Sequence, residues 1–217
     1  MLRNFLNSHK TGIYLISPLN VDKLKFPTLL SKVLATKSVR FFQLRLKNVG
    51  DRDIIELINS LYPVCLYHKV PFILNDRVDL VKVTGVDGVH LGTKDLSVKK
   101  ARKILGHKKI IGSSCYNTIL TSMKSEYLGA DYLAFGSFFE TNTKKDTTKI
   151  NIFNFKKYRK HIKLPIVAIG GLNKFNIKRL AFLNPDFLAF CSSIWYSKHS
   201  PVMEIKKITN IINSNYF

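Results

Sequence analysis

The sequence predicts a single (β/α)8 barrel, an α/β domain occupying residues 1–217 with the barrel itself from about 12 to 214. Three observations lead to it. Eight short apolar runs recur along the chain, helix-like segments separate them, and polar or glycine residues stand at the C-terminal ends of nearly all the runs. In a barrel of this kind the active groups gather at those ends, on the loops that follow each strand.

The predicted strands are Gly12–Pro18, Val39–Arg45, Pro71–Asp76, Gly88–Gly92, Lys109–Ser114, Tyr132–Ser137, Pro165–Gly171 and Phe187–Ser192. Most are almost continuously apolar, as parallel strands covered by helices are. Between them, Asp51–Lys69 reads as a helix whose Ile54, Ile55, Ile58, Leu61 and Leu66 form the apolar face. Ser97 and Asn173 stand where helix N-caps are expected. In Leu96–Leu105 the residues Val98, Ala101, Ile104 and Leu105 share one stripe, and Lys99, Lys100 and Lys103 fall outside it. An open, doubly wound sheet is the main competitor to the closed barrel. No linker or low-complexity tract marks a second domain.

Composition narrows the function. A hydrophobic fraction of 46% and a charged fraction of 23% are those of a soluble globular protein. At 217 residues the chain is slightly short for the fold, where ~250 is usual. No run approaches the ~20 apolar residues that span a bilayer, and Met1 to Lys10 lacks the apolar stretch of a secretory signal. Cys65, Cys115 and Cys191 lie far apart without metal spacing, as reduced thiols of a cytoplasmic protein do. The net charge of +21 is spread over the whole chain. It suits solvated helix faces and the steering of anionic substrates. A nucleic-acid surface would need exposed aromatics among the cations, whereas Phe41, Phe42, Phe72, Tyr132 and Phe135 read as core.

The strand ends carry the chemistry. After the second strand, period-2 alternation puts Gln43, Arg45 and Lys47 on one face, an anion site if the strand runs that far. They also read as a solvated basic end. The third strand ends in Asn75-Asp76 and the fourth leads to Asp95. Neighbouring strands lie about 4.8 Å apart, so the two carboxylates can share one Mg2+ and leave its other positions to phosphate and water. Alternatively, Asp76 caps the next helix and Asp95 opens a turn before Ser97. Ser114 brings a hydroxyl to the rim after the fifth strand. Thr141, Thr143 and Lys144 follow the sixth, in a loop that equally reads as plain polar. Gly170-Gly171 and Cys191-Ser192-Ser193 end the seventh and eighth, where phosphate sites of this fold are commonly built.

Taken in order, Gln43-Leu44-Arg45-Leu46-Lys47, Asn75-Asp76-Arg77, Gly88-Val89-His90-Leu91-Gly92 with Asp95, Gly112-Ser113-Ser114, Thr141 to Lys145 and Ala168-Ile169-Gly170-Gly171 resemble the pattern of the thiamine-phosphate synthases. The resemblance runs from about Ile13 to Ile194. It implies a Mg2+-dependent condensation of a hydroxymethylpyrimidine diphosphate with a thiazole phosphate, releasing diphosphate through a dissociated pyrimidine cation. By the same resemblance Asp76 and Asp95 hold the metal, and Arg45, Lys47, Asn75, Lys144 and Ser114 serve the diphosphate. Gln43 recognises the pyrimidine, with Tyr14 lining its pocket. Thr141, Thr143, Gly171, Cys191 and Ser192 hold the thiazole phosphate, and a homodimer is a further implication. Leu46, Thr93 and Tyr116 depart from the pattern, where Glu, Gln and His are usual, and the eighth strand end is bulkier.

The sister thiazole tautomerases share the fold but need an acid–base residue, often a His after the fifth strand. Tyr116 stands there, and the Asp76–Asp95 pair favours the synthase. His90 lies within a strand and reads as a satisfied core residue.

Overall fold

The computed structural model describes residues 10–116, 118–140 and 150–214. Its strands are β1 (Gly12–Ile16), β2 (Val39–Leu44), β3 (Phe72–Asn75), β4 (Gly88–Leu91), β5 (Ile110–Tyr116), β6 (Tyr132–Phe135), β7 (Ile166–Ala168) and β8 (Phe187–Phe190). Between them come the helices α1 (Phe26–Leu34), α2 (Asp51–Tyr67), α3 (Val78–Thr84), α4 (Val98–Leu105), α5 (Ile119–Tyr127) and α6 (Ile152–Arg159). A 3-10 segment, Ile177–Leu183, fills the seventh connection, and α7 (Ser192–Trp195) and α8 (Pro201–Ile212) follow β8. All neighbouring strands are parallel. Gly12 of β1 lies opposite Phe187 and Leu15 opposite Phe190, so the sheet closes on itself. A doubly wound sheet, with its two free edges, is excluded.

The pleat sorts the side chains into two cores. Tyr14, Phe41, Ile73, Ile110, Tyr132, Val167 and Phe187 meet inside the barrel. Their strand neighbours Leu15, Phe42, Leu74, Ile111, Leu133 and Leu188 pack outward against the helices. Burying each such side chain contributes about 1.5–3 kcal/mol. The five strand aromatics expected in the core are all there, none more than 1% exposed. Among the described residues no helix is long and apolar enough to cross a membrane.

Most predicted strands are too long at their ends, because polar residues leave the ladder where the loops begin; β5, which continues to Tyr116, is the exception. On α2 the buried face is Ile54, Leu57, Ile58, Leu61 and Cys65, whereas Leu66 is 55% exposed. At 100° per residue Leu66 stands about 120° from the Ile54 direction. On α4, Val98 and Ala101 are buried but Ile104 is 43% exposed, so the stripe is narrower than expected. Ser97 caps α4 by accepting from Lys100 N. Asn173 instead accepts from Phe175 N and forms a turn ahead of the 3-10 segment.

One local arrangement occurs three times at the N-terminal face. A residue in the left-handed region (Gly85, Gly129 or Asn184) is followed two positions later by Asp87, Asp131 or Asp186, which immediately precedes β4, β6 or β8. Each carboxylate accepts an N–H at the start of the preceding odd strand, from the first residue (Phe72 or Ile166) or the second (Ile111), each at 2.8 Å. Each is also held by the helix before that strand, through Tyr62 of α2, Arg102 of α4 or Arg159 of α6. Arg102 is the most fully used of the three, donating to the Gly106, Lys109 and Gly129 carbonyls as well. Part of the chain's positive charge therefore closes the barrel floor.

Candidate active site at the C-terminal rim

Inward-facing positions at the tops of the strands converge on the barrel mouth. Alternation from Phe41 carries Gln43 inward, where it is 3% exposed and donates from Nε2 to Asn75 Oδ1 at 2.7 Å. That bond leaves Gln43 Oε1 as an acceptor and the Asn75 amide as a donor. β2 ends at Leu44, so Arg45 and Lys47 stand on the following loop. Ser17 anchors that loop by accepting from Arg45 N at 3.0 Å. The Arg45 guanidinium makes no hydrogen bond or ion pair among the described residues. Leu46 lines a small open cleft of about 140 Å3 with Lys47, Asn75 and Asp76.

The two carboxylates meet. Asp76 takes a left-handed conformation (φ 66°), and its N–H donates to the His90 carbonyl at 2.8 Å. Its carboxylate pairs with Lys47 rather than capping α3, whose N-cap position, Arg77, makes no side-chain cap bond. Asp95 accepts from Gly92 N at 2.7 Å and so closes a turn that begins at Gly92 rather than opening one before Ser97. Its carboxyl also lies near enough to Asp76 for the two to act on one another. Burial first, and the adjacent Asp76 second, push the Asp95 carboxyl above the ordinary aspartate range. Among the described residues no group of three or more His, Cys, Asp or Glu is placed to hold a metal. A pair of carboxyls short of positive charge, with phosphate oxygens and water completing the shell, is the way Mg2+ is usually bound. The residues present fit that ion.

At β5 the two serines diverge. Ser113 faces outward and bonds Ser125 of α5 at 2.9 Å, whereas Ser114 faces inward, 2.9 Å from His90 Nε2. His90 Nδ1 lies 3.0 Å from Tyr132 Oη. Tyr14 is 2% exposed beneath the mouth, its hydroxyl 2.7 Å from that of Tyr132. His90 is thus satisfied, as its strand position suggested, but its partner is a rim serine. That link depends on register across β4, β5 and β6, where His90 is opposite Gly112 and Gly112 opposite Tyr132.

The seventh and eighth strand ends are each held by a different neighbour. Gly170 (φ 102°) and Gly171 (φ 64°) press against the loop after β6, where a Cβ would fall 2.3 Å from Ser137 Oγ or 2.1 Å from Glu140 O. This contact requires glycine at both positions independently of any phosphate. Cys191 donates from Sγ to Ser17 O at 3.2 Å, and Trp195 from Nε1 to Ile16 O at 2.6 Å, which ties α7 to the end of β1. Burial pushes the Cys191 thiol up, with the nearby Arg45 cation pulling against it. Ser192 begins α7 beside them. Thr141, Thr143 and Lys144 lie outside the described residues.

The description "Thiamine monophosphate synthase" belongs to the family model that matches residues 13–194. A thiamine-phosphate synthase of Pelagibacter ubique is 41% identical over 209 residues, covering 96% of this chain and 100% of the relative. One of Nitrosospira multiformis is 38% identical over 185 residues, covering 85% of this chain and 79% of the relative. The solved thiamine phosphate pyrophosphorylase of Pyrococcus furiosus superposes with a TM-score of 0.82 at 28% identity, covering 99% of this chain and 100% of that one. With the barrel, the rim and these likenesses together, the chain belongs to the thiamine monophosphate synthase family.

Proposed function

We propose that the protein is a cytoplasmic thiamine-phosphate synthase, joining hydroxymethylpyrimidine diphosphate to a thiazole phosphate at the C-terminal rim. The observation that carries this reading is the meeting of Asp76 and Asp95 beside Lys47 and Asn75. The C–O bond between the pyrimidine methylene and diphosphate breaks, and diphosphate leaves with the electron pair. The thiazole nitrogen then donates its lone pair to the methylene carbon, giving thiamine phosphate. The demand on the protein is to stabilise charge on the departing diphosphate, which preorganised donors do better than a base.

Arg45 and Lys47 supply cations to the diphosphate oxygens, and Asn75 and Ser114 supply neutral donors. Asp76 and Asp95 would hold Mg2+, which when bound supplies positive charge to the same oxygens. Gln43 Oε1 accepts from the pyrimidine amino group, with Tyr14 in the floor below. Gly171, Cys191 and Ser192 cradle the thiazole phosphate. Thr141, Thr143 and Lys144 carry roles given by the resemblance alone. A homodimer and free, reduced cysteines belong to the same reading; Cys65, Cys115 and Cys191 are all unbridged.

Diphosphate release decides it. Purified protein, Mg2+ and both substrates should yield diphosphate and thiamine phosphate, and omission of any one component should abolish both. Folded protein that gives no product in the complete mixture would refute the synthase reading and leave the tautomerase to be tried.

A further inference from the structure

A chain of four hydrogen-bonded side chains crosses the barrel beneath the mouth. Tyr14 Oη is 2.7 Å from Tyr132 Oη, which is 3.0 Å from His90 Nδ1; His90 Nε2 is 2.9 Å from Ser114 Oγ. The two tyrosines and His90 are buried. Proton counting fixes the direction of the chain. Its end is Tyr14, whose hydroxyl has no partner except Tyr132 among the described residues. If Ser114 donated to His90, and Nδ1–H in turn to Tyr132, then Tyr132 would donate to Tyr14. The Tyr14 proton would be a buried donor without an acceptor, at the full cost of desolvation. An imidazolium fails in the same way, because it donates from both nitrogens. In the opposite sense every proton is placed: Tyr14 donates to Tyr132, Tyr132 to Nδ1, and Nε2–H to Ser114. The Ser114 proton is then the one left over, at the rim.

We propose that His90 is a positioning residue, held as the neutral Nε2–H tautomer by Tyr132 and Tyr14 so that Ser114 is committed as a donor to an anionic oxygen. That this oxygen is the diphosphate's rests on the synthase reading above. Gly112 belongs to the same arrangement. A Cβ there would fall 2.0 Å from Tyr132 Cζ and 2.2 Å from its Oη, so glycine before the serine pair is what lets the tyrosine reach His90. The imidazole stacks on that ring, 5.7 Å between centroids.

Two measurements test the relay. Nitrogen-15 NMR of histidine-labelled protein, without substrates and at neutral pH, should show His90 as Nε2–H, and Tyr132→Phe, which keeps the ring, should turn it into a mixture of tautomers. A wild-type Nδ1–H or doubly protonated ring would overturn the proposal. In turnover, Ser114→Ala should lower kcat ~100-fold and Tyr132→Phe about tenfold with the KM for thiazole phosphate unchanged. The double variant should be no slower than Ser114→Ala alone, within about twofold, because Tyr132 acts only through Ser114. Losses that multiply would also overturn it. A wild-type protein that releases no diphosphate would sink the reading on which the anion's identity rests, while the tautomer, read on the free protein, decides the relay on its own.

Discussion

The two ends of the barrel treat aspartate in opposite ways. At the N-terminal face Asp87, Asp131 and Asp186 each accept a strand N–H and a side chain from the neighbouring helix. At the C-terminal face Asp76 and Asp95 are set beside one another, with Lys47 on Asp76 and burial raising Asp95. Asp76, Asn48 and Tyr116 there also hold positive φ. Satisfied carboxylates hold a fold together, whereas crowded, partly buried ones gain most from an ion or ligand that brings positive charge. One residue type therefore marks stability at one rim and chemistry at the other, and mutation should separate them.

The largest effect is expected at the mouth. Asp76→Asn or Asp95→Asn should lower turnover ~1,000-fold, about 4 kcal/mol of barrel-mouth catalysis, while the melting temperature stays level or rises as repulsion is relieved. Steady-state rates beside thermal melts check this; unchanged turnover in both variants would remove the metal-site assignment. Next comes the floor. Asp131→Ala leaves Arg102 and Ile111 N without their shared acceptor, and the pair is largely buried, with side chains 11% exposed. A loss of about 3 kcal/mol in chemical denaturation is expected, with the rate per folded molecule unchanged. A large fall in kcat in the still-folded fraction would blur the division between the rims.

A smaller effect links the rims to pH. Glu204 of α8 holds Lys174, in the loop after β7, at 2.8 and 3.1 Å. Burial pushes its carboxyl up, but Lys174, and then Lys207, outweigh it and leave the group below the ordinary glutamate range. A lowered folded value means the stabilisation is complete above the unfolded value and is lost as pH falls through the lowered one. The wild type should accordingly lose more melting temperature than Glu204→Gln on acidification below about pH 5. Parallel curves would show that this ion pair does not hold the loop. The smallest effect belongs to the exposed surface. Lys23 spans Asp53 and Glu56, each at 2.6 Å, yet Lys23→Ala should leave both melting temperature and rate unchanged, because solvent screens such pairs. A clear drop would place this surface network among the structural contacts.

Much of this contrast could be read from the chain alone at the mouth and almost none of it at the floor. Gln43 follows from period-2 alternation near a strand end, Asn75 from its place at the end of the third strand and the family resemblance, and Asp76 and Asp95 from the spacing of adjacent strands. The three floor aspartates have no common spacing from the strands before them, because the connections differ in length. Each also takes its N–H from the strand before it, 15 or 20 residues back along the chain. Apolar character alone puts Leu66 on the buried face of α2, but its helical angle turns it to solvent, and Leu57 and Cys65 hold that face instead.

The order of apolar runs and turns was enough to specify eight strands and which side chains face inward, because the pleat and the chain order are covalent properties. Closure of β8 onto β1 was not, nor was the orientation of Ser114 by His90 and Tyr132. Those depend on twist summed around eight strands and on the register of three of them, and such quantities exist only once the strands are packed together.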